Sequence, residues 1–136
     1  MSGKEPSTQE AIHVAEFRAS LRRFLRRTER IARRARLTPQ RYLLLLMIKG
    51  SPDGAERSTV TELSERLQLA QSTVTELVNR AEEVGLVARE QSSADGRVAH
   101  LTLTAEGERR FAEAFTALAQ ERDELRRAFA HLDERV

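Results

Sequence analysis

The spacing of apolar residues changes at Gly85, and this change limits the folds that the chain can adopt. Before Gly85, apolar residues recur every three or four positions, at Val74, Leu77, Val78 and Ala81. That period is typical of a helix with one buried face. After Gly85, residues 98–104 alternate between apolar and polar, as a strand does. The sequence therefore predicts a helix that ends at about Val84, with Gly85 as a left-handed cap, and short strands beyond it.

Another short helix is predicted just before this one. Thr59 and Glu62 have the spacing of a capping box, in which a hydroxyl and a carboxylate satisfy backbone donors at a helix start. Val60, Leu63 and Leu67 then form its inward face. Residues 68–70 are too few for more than a tight turn, so the two helices are expected to follow each other closely.

A β-hairpin is predicted after the two helices. Residues 86–90 and 98–104 are β-capable, and the Asp95-Gly96 pair between them is typical of a turn. Two short helices joined by a tight turn and followed by a hairpin make a winged helix–turn–helix. The predicted fold class is therefore mainly α with a small β-wing, and the second helix of such a fold enters the major groove of DNA.

Long helices are expected on both sides of this unit. Residues 7–36 contain neither Pro nor Gly, and their apolar seam comprises Val14, Phe17, Leu21, Phe24, Thr28, Ile31 and Ala35. Thr38 and Pro39 are expected to start a core helix that ends at Lys49. From Ala105 the chain is predicted to be one helix to its end, with a heptad-like seam at Phe111, Phe115, Leu118, Arg122, Leu125, Phe129, Leu132 and Val136.

These elements divide the chain into three parts. Residues 1–36 are interpreted as a leader and dimerisation helix, residues 37–104 as a DNA-binding lobe, and residues 105–136 as a second dimerisation helix. Each long helix has so narrow an apolar seam that a partner helix is needed to cover it.

The candidate DNA-binding residues follow from helical phase. With the apolar stripe buried, the opposite face of the second helix carries Ser72, Thr73, Thr75, Glu76, Asn79 and Arg80. Asn pairs with adenine and Arg with guanine through two hydrogen bonds each. Glu76 is unfavourable beside phosphates, so we expect it to pair with Arg80, four residues on. The alternative interpretation is a solvated helix face.

The predicted hairpin tip carries a second candidate site. Arg97 lies where a narrow minor groove would attract it, and Asp95 is placed to hold its guanidinium. An exposed surface ion pair is the alternative.

These motifs together resemble the MarR family of transcription regulators. The resemblance rests on residues 62–67, 72–80 and 85–87, on Asp95-x-Arg97 followed by residues 103–107, and on residues 37–40. It implies a homodimer that binds duplex DNA at an inverted-repeat operator, with residues 72–80 in the major groove and Arg97, braced by Asp95, in the minor groove. It also implies small aromatic or phenolic effectors, for which family position suggests Phe17, Arg23, Tyr42 and Phe111. Ordinary packing is the alternative for these four residues.

The sequence departs from the family pattern in two places. Ala70 stands where the family usually has a capping Ser or Asp, so the second helix is expected to begin at Gln71 or Ser72 with a weaker cap. Family members usually have a further helix where this sequence ends, at Val136. A smaller dimer, a different dimer arrangement or a shortened chain are the alternatives.

Several other functions are excluded or disfavoured. The chain has no Cys, which excludes disulfides and a cysteine-based oxidation sensor. We expect His13, His100 and His131 to lie far apart, and none has a paired carboxylate or Cys at ligand spacing, so no metal is expected. No nucleophile elbow or phosphate loop is present, so neither enzymatic activity nor a cofactor is expected. Without a membrane-spanning run or a secretory leader, a cytoplasmic location is expected.

A protein-interaction scaffold is the alternative function. All the basic residues except Lys4 and Lys49 are Arg, and many of them lie on the first helix. In this interpretation, the Arg-rich first helix docks an acidic partner, and the winged unit is only a support.

Overall fold

The computed structural model describes residues 5–91 and 96–134. Within these residues it has six helices and a two-stranded sheet. In chain order these are α1 (Thr8–Arg34), α2 (Pro39–Lys49), α3 (Val60–Leu67), α4 (Gln71–Glu83), β1 (Val87–Gln91), β2 (Ala99–Leu103), α5 (Ala105–Ala117) and α6 (Ala119–Glu134). The predicted mainly α fold with a small β-wing is confirmed.

The helix starts follow the capping residues of the sequence. The Thr59 hydroxyl accepts a hydrogen bond from the backbone N–H of Glu62, whose carboxylate in turn accepts from the N–H of Thr59 at 2.8 Å. This is the predicted capping box. Ala70 precedes α4 and makes no side-chain cap, as predicted. At the other end of α4, Gly85 has a φ of +79°, the left-handed conformation expected there.

The wing is an antiparallel hairpin of β1 and β2. Its register pairs Val87 with Leu103 and Arg89 with Leu101. Ser58, just before α3, extends this sheet by one bridge, because it exchanges backbone hydrogen bonds of 3.1 and 2.8 Å with Leu101. The wing is therefore attached to the helix–turn–helix through Ser58 as well as through the chain itself.

One hydrophobic core joins the lobe to the long helices. Its fully buried side chains come from α2, α3, α4 and the wing, and include Leu44, Leu45, Ile48, Leu63, Val74, Val78, Leu86 and Leu101. Ala32 of α1 and Ala114 of α5 are equally buried in the same cluster. The C-terminal ends of α1 and α5 are therefore packed directly against the lobe, which fixes the positions of these two helices relative to α4.

The prediction of one continuous helix from Ala105 is wrong, because the helix is interrupted at Leu118. The guanidinium of Arg122 donates to the backbone carbonyl of Phe115 at 2.6 Å. It also lies 3.8 Å from the centroid of the Phe115 ring. A side chain that occupies a helix carbonyl is a known cause of a kink. No Gly or Pro in this segment marks the break, so its sequence pattern looked continuous.

Beyond the kink, α6 packs along α1 of the same chain. The rings of Phe17 and Phe129 meet edge to face at 5.6 Å between centroids. Arg27 forms an ion pair with Glu124 at 3.1 Å. The seam predicted to pair two long helices is therefore partly covered within one chain, although Phe129 remains 61% exposed.

Candidate nucleic-acid interface

The outer face of α4 is polar and open to solvent. Val74, Val78 and Ala81 are 0% exposed, so they fix the rotation of the helix about its axis. The opposite side chains are all exposed, namely Ser72, Thr73, Thr75, Glu76, Asn79 and Arg80. The structure therefore brings together, on one surface, the six residues that helical phase selected. Short side chains at the start of α4 leave room for its N-terminal half to approach a groove.

The carboxylate on this face is partly neutralised. Arg80 lies 3.8 Å from Glu76, one turn earlier, as predicted. Both side chains are more than 60% exposed, so the pair contributes little to stability and either partner can exchange it for a ligand.

Asn79 is engaged by a residue that the sequence interpretation missed. The guanidinium of Arg89, on β1, donates to the side-chain oxygen of Asn79 at 2.5 Å and to Glu82 at 2.9 Å. Reading adenine requires both the oxygen and the amino group of an Asn side chain. The contact with Arg89 uses one of the two lone pairs of this oxygen and fixes the orientation of the Asn79 amide. No sequence spacing links a strand residue to a helix in this way.

The tip of the wing is only partly described. Gly96 and Arg97 lie in a turn and are exposed. Asp95 lies outside the described residues, so its predicted contact with Arg97 stays a prediction.

A second basic residue borders the face of α4. Arg41, near the start of α2, lines an open concavity of about 380 Å³ together with Glu76, Asn79 and Arg80. It is therefore a further candidate for phosphate contact beside a bound groove. The sequence interpretation assigned Arg41 only to the core helix.

The four residues suggested for an effector do not meet at one place. Tyr42 and Phe111 stack at 5.8 Å, and Phe115 continues the stack at 5.2 Å from Phe111. Phe17 contacts Phe129 instead, as described above. Arg23 lines a separate cleft of about 230 Å³ between α1 and α6.

Tyr42 is the one titratable group in the aromatic stack. Burial raises the pKa of its hydroxyl, and the positive charge of Arg122 opposes part of that increase. The Tyr42 hydroxyl is therefore neutral at physiological pH, when it can act as a hydrogen-bond donor.

Two histidines that are distant in sequence are neighbours in the fold. His13 and His131 meet edge to face at 5.6 Å between ring centroids, so the expectation that they lie far apart is wrong. Their contact follows from the packing of α6 on α1. Among residues 5–91 and 96–134, no group of three or more His, Cys, Asp or Glu side chains is arranged to hold a metal. In the same residues, no helix is both long and apolar enough to cross a bilayer.

A polar outer face on α4, a rigid core behind it and a basic turn on the adjacent hairpin define a winged helix–turn–helix of the DNA-binding class. Comparison with known proteins agrees. Residues 37–98 match the model of the MarR family. The HTH-type transcriptional regulator YsmB of Bacillus subtilis (strain 168) is 33% identical over 108 residues, which are 76% of this chain and 71% of YsmB.

Solved structures share this fold. The MarR family transcriptional regulator AbsC from Streptomyces coelicolor has a TM-score of 0.69 at 20% identity, over 95% of this chain and 84% of AbsC. Reduced AbfR bound to DNA has a TM-score of 0.59 at 28% identity, over 83% of this chain and 82% of AbfR. The chain belongs to the MarR family. It is accordingly a DNA-binding transcription regulator and not an enzyme.

Proposed function

We propose that this regulator binds an inverted-repeat operator as a homodimer and represses transcription by occluding a promoter. In this proposal α4 lies in the major groove, and its exposed side chains from Ser72 to Arg80 contact base edges and phosphates. The observation that carries the proposal is the division of α4 into a fully buried apolar stripe and a continuous exposed polar face. Such a regulator acts on the chromosome, which in bacteria places it in the cytoplasm.

The wing supplies the second contact of each half-site. We propose that Arg97 enters the minor groove, where the narrow A·T-rich groove attracts a guanidinium, and that Asp95 holds it in place. The exposure of Arg97 on a turn supports this role. Residues 37–104 are thus proposed as the DNA-binding lobe, and residues 1–36 and 105–136 as the dimerisation region.

Exposed apolar side chains support dimerisation through α1 and α6. Val14 and Leu25 on α1 are each 50% exposed, and Phe129 on α6 is 61% exposed. A second copy of the chain that covered these side chains would bury the apolar surface of α1 and α6 that the fold leaves open. With both lobes on one face of the duplex, the half-sites would lie about 10 bp apart.

The aromatic stack is the proposed site for a small aromatic or phenolic effector. Tyr42 belongs to α2 of the lobe, whereas Phe111 and Phe115 belong to α5. A flat ring that inserted beside the stack would change the angle between the lobe and the long helix. Release of DNA would follow, because the two lobes of a dimer must keep the spacing of their half-sites. Phe17 and Arg23 lie apart from this stack, and we propose no role for them in it.

The direct test is fluorescence anisotropy with two labelled duplexes. One duplex is selected from a random pool by the wild-type protein, and the other is a scramble of the same composition. We expect binding to the selected duplex to be at least about a thousandfold tighter, with two chains per duplex. The logarithm of affinity should fall linearly with the logarithm of salt concentration, because phosphate contacts release counterions. Equal affinity for the two duplexes would contradict the proposal.

The outer face of α1 favours one alternative function. Arg18, Arg22, Arg26, Arg30 and Arg33 are all exposed there, and within the described parts of the chain none of them has a carboxylate oxygen within 4.0 Å. Such a face suits an acidic protein partner, with the winged unit acting as a scaffold. This alternative requires that Arg30 matter for binding and that Arg97 not matter.

A further inference from the structure

We infer that Arg89 is a positioning residue that locks the wing to the reading helix α4, and so sets the distance between the two DNA-contacting parts of the lobe. The inference rests on the proposed function, since it concerns how α4 and Arg97 reach DNA together. It assigns a role to a strand residue that itself need not contact DNA.

The guanidinium of Arg89 makes two hydrogen bonds to α4, and this pair of bonds is called the fork. Arg89 Nε lies 2.9 Å from Glu82 Oε1, and Arg89 Nη2 lies 2.5 Å from Asn79 Oδ1. Asn79 and Glu82 are three residues apart, so they lie on the same side of α4. The rigid, planar guanidinium bonds both at once, which a lysine ammonium on a flexible stem does less well.

Arg89 and Leu101 form one pair, or rung, of the two-stranded sheet, and this rung is attached to the lobe at its other edge as well. Arg89 pairs with Leu101 across the hairpin, and Leu101 exchanges two backbone hydrogen bonds with Ser58. Leu101 is 0% exposed and Ser58 is 2% exposed, so this edge is part of the core. Ser58 directly precedes the cap of α3. The wing is thus fixed to α3 on one side and to α4 on the other, at a single level of the hairpin.

Arg97 lies beyond this rung, toward the tip of the hairpin. Its position relative to α4 therefore depends on the rung, because within residues 5–91 and 96–134 the side chain of Arg89 makes the hydrogen bonds and the ion pair that join β1 to the outer part of α4. If the fork were lost, the wing would remain attached through Ser58 but would be free to change its angle to α4. The two DNA contacts would then no longer be presented at one fixed spacing.

The fork also changes the role of Asn79. Its side-chain oxygen accepts a hydrogen bond from Arg89, which uses one of its two lone pairs and fixes the orientation of the amide. Asn79 is therefore part of the lock, and the base contacts of α4 fall to its other exposed residues.

The contacts of Arg89 with Asn79 and Glu82, which together form the lock, affect DNA binding more than folding. The side chains of Arg89 and Glu82 are 34% and 41% exposed, so their ion pair contributes little to the stability of the fold. An Arg89→Ala variant should therefore remain folded, and its effect should appear when both α4 and the wing must engage DNA.

The test compares Arg89→Ala, Arg89→Lys, Arg97→Ala and the Arg89→Ala/Arg97→Ala double variant on the selected and scrambled duplexes. We expect Arg89→Ala to weaken binding to the selected duplex by about tenfold, the factor that matches loss of one charged hydrogen bond. Binding to the scrambled duplex should change by no more than about twofold, since that change reflects only one lost charge. Arg89→Lys should restore part of the loss. Arg109→Ala is the matched control, because Arg109 also pairs with a carboxylate but lies on α5.

The double variant gives the sharpest readout. If Arg89 positions Arg97, the Arg97→Ala change should cost less in the Arg89→Ala background than in the wild type. Additive effects would overturn the inference, as would an Arg89→Ala variant with wild-type affinity when Arg97→Ala is clearly weakened. A wild type that shows no preference between the duplexes would overturn the proposed function, and the inference with it.

Asn79→Asp provides a second, independent readout. Aspartate keeps an oxygen acceptor for Arg89 but has no amino group, so repeated selection with this variant should return the same preferred bases. A changed preference at one base pair would show that Asn79 reads that base, and would overturn its assignment to the lock.

Discussion

Replacing Gly107 with alanine is expected to lower the free energy of unfolding by about 3 kcal/mol, the upper range for overpacking a core. Gly107 is buried in the first turn of α5, beside the start of the wing. A Cβ added there would overlap the backbone carbonyl oxygen of Leu86. That oxygen cannot easily withdraw, because it accepts a 3.0 Å hydrogen bond from the N–H of Thr104. Backbone of the wing or of α5 would therefore have to move.

The sign of this effect is opposite to that expected from helix propensity. Alanine in place of glycine inside a helix normally stabilises it by about 1 kcal/mol. Urea denaturation followed by circular dichroism measures the difference. Gly96→Ala is the control, because a Cβ at Gly96 meets no atom of residues 5–91 or 97–134 within 4 Å. A Gly107→Ala protein at least as stable as the wild type would show that the approach of α5 to Leu86 is not as tight as described.

Replacing Arg97 with alanine is expected to weaken binding to the selected duplex by about thirtyfold. This factor corresponds to the loss of about 2 kcal/mol, the contribution of one minor-groove contact. A homodimer carries two copies of Arg97, so the total loss can exceed that of a single contact. Arg97 is exposed at the turn of the hairpin, so its removal should leave the fold unchanged. Anisotropy titration at one fixed salt concentration measures the loss, and circular dichroism checks the fold.

Arg30→Ala is the matched control for this measurement. It removes the same charge from the outer face of α1, away from the proposed DNA contacts. We expect it to bind the selected duplex like the wild type. Wild-type affinity for the duplex in Arg97→Ala, with weakened binding in Arg30→Ala, would contradict the minor-groove contact and would place the DNA on the outer face of α1 instead.

Local signals in the sequence predicted most of the lobe. The capping box at Thr59, the left-handed Gly85 and the alternation in residues 98–104 each act over a few residues, so they can be interpreted without the fold. The exposed face of α4 followed from helical phase for the same reason. All of these features lie within the winged unit, and each depends on residues that are close together in the sequence.

Contacts between distant residues were not predictable in this way. The break at Leu118 lies where Arg122 reaches the carbonyl of Phe115, and no Gly or Pro marks it. The fork from Arg89 joins a strand to a helix and engages the side-chain oxygen of Asn79. Helical phase shows which way a side chain points, but it cannot show that a neighbouring strand already uses its hydrogen-bonding group.

Amide chemical-shift mapping tests the central claim most directly, because it locates the surface that DNA touches. Isotope-labelled protein would be titrated with the selected duplex and, separately, with the scramble. We expect the largest shifts in α4 from Gln71 to Arg80 and at Gly96 to Val98, with little change along the outer face of α1. Shifts concentrated on the arginines of α1, or no difference between the two duplexes, would contradict a reading helix and wing that recognise an operator.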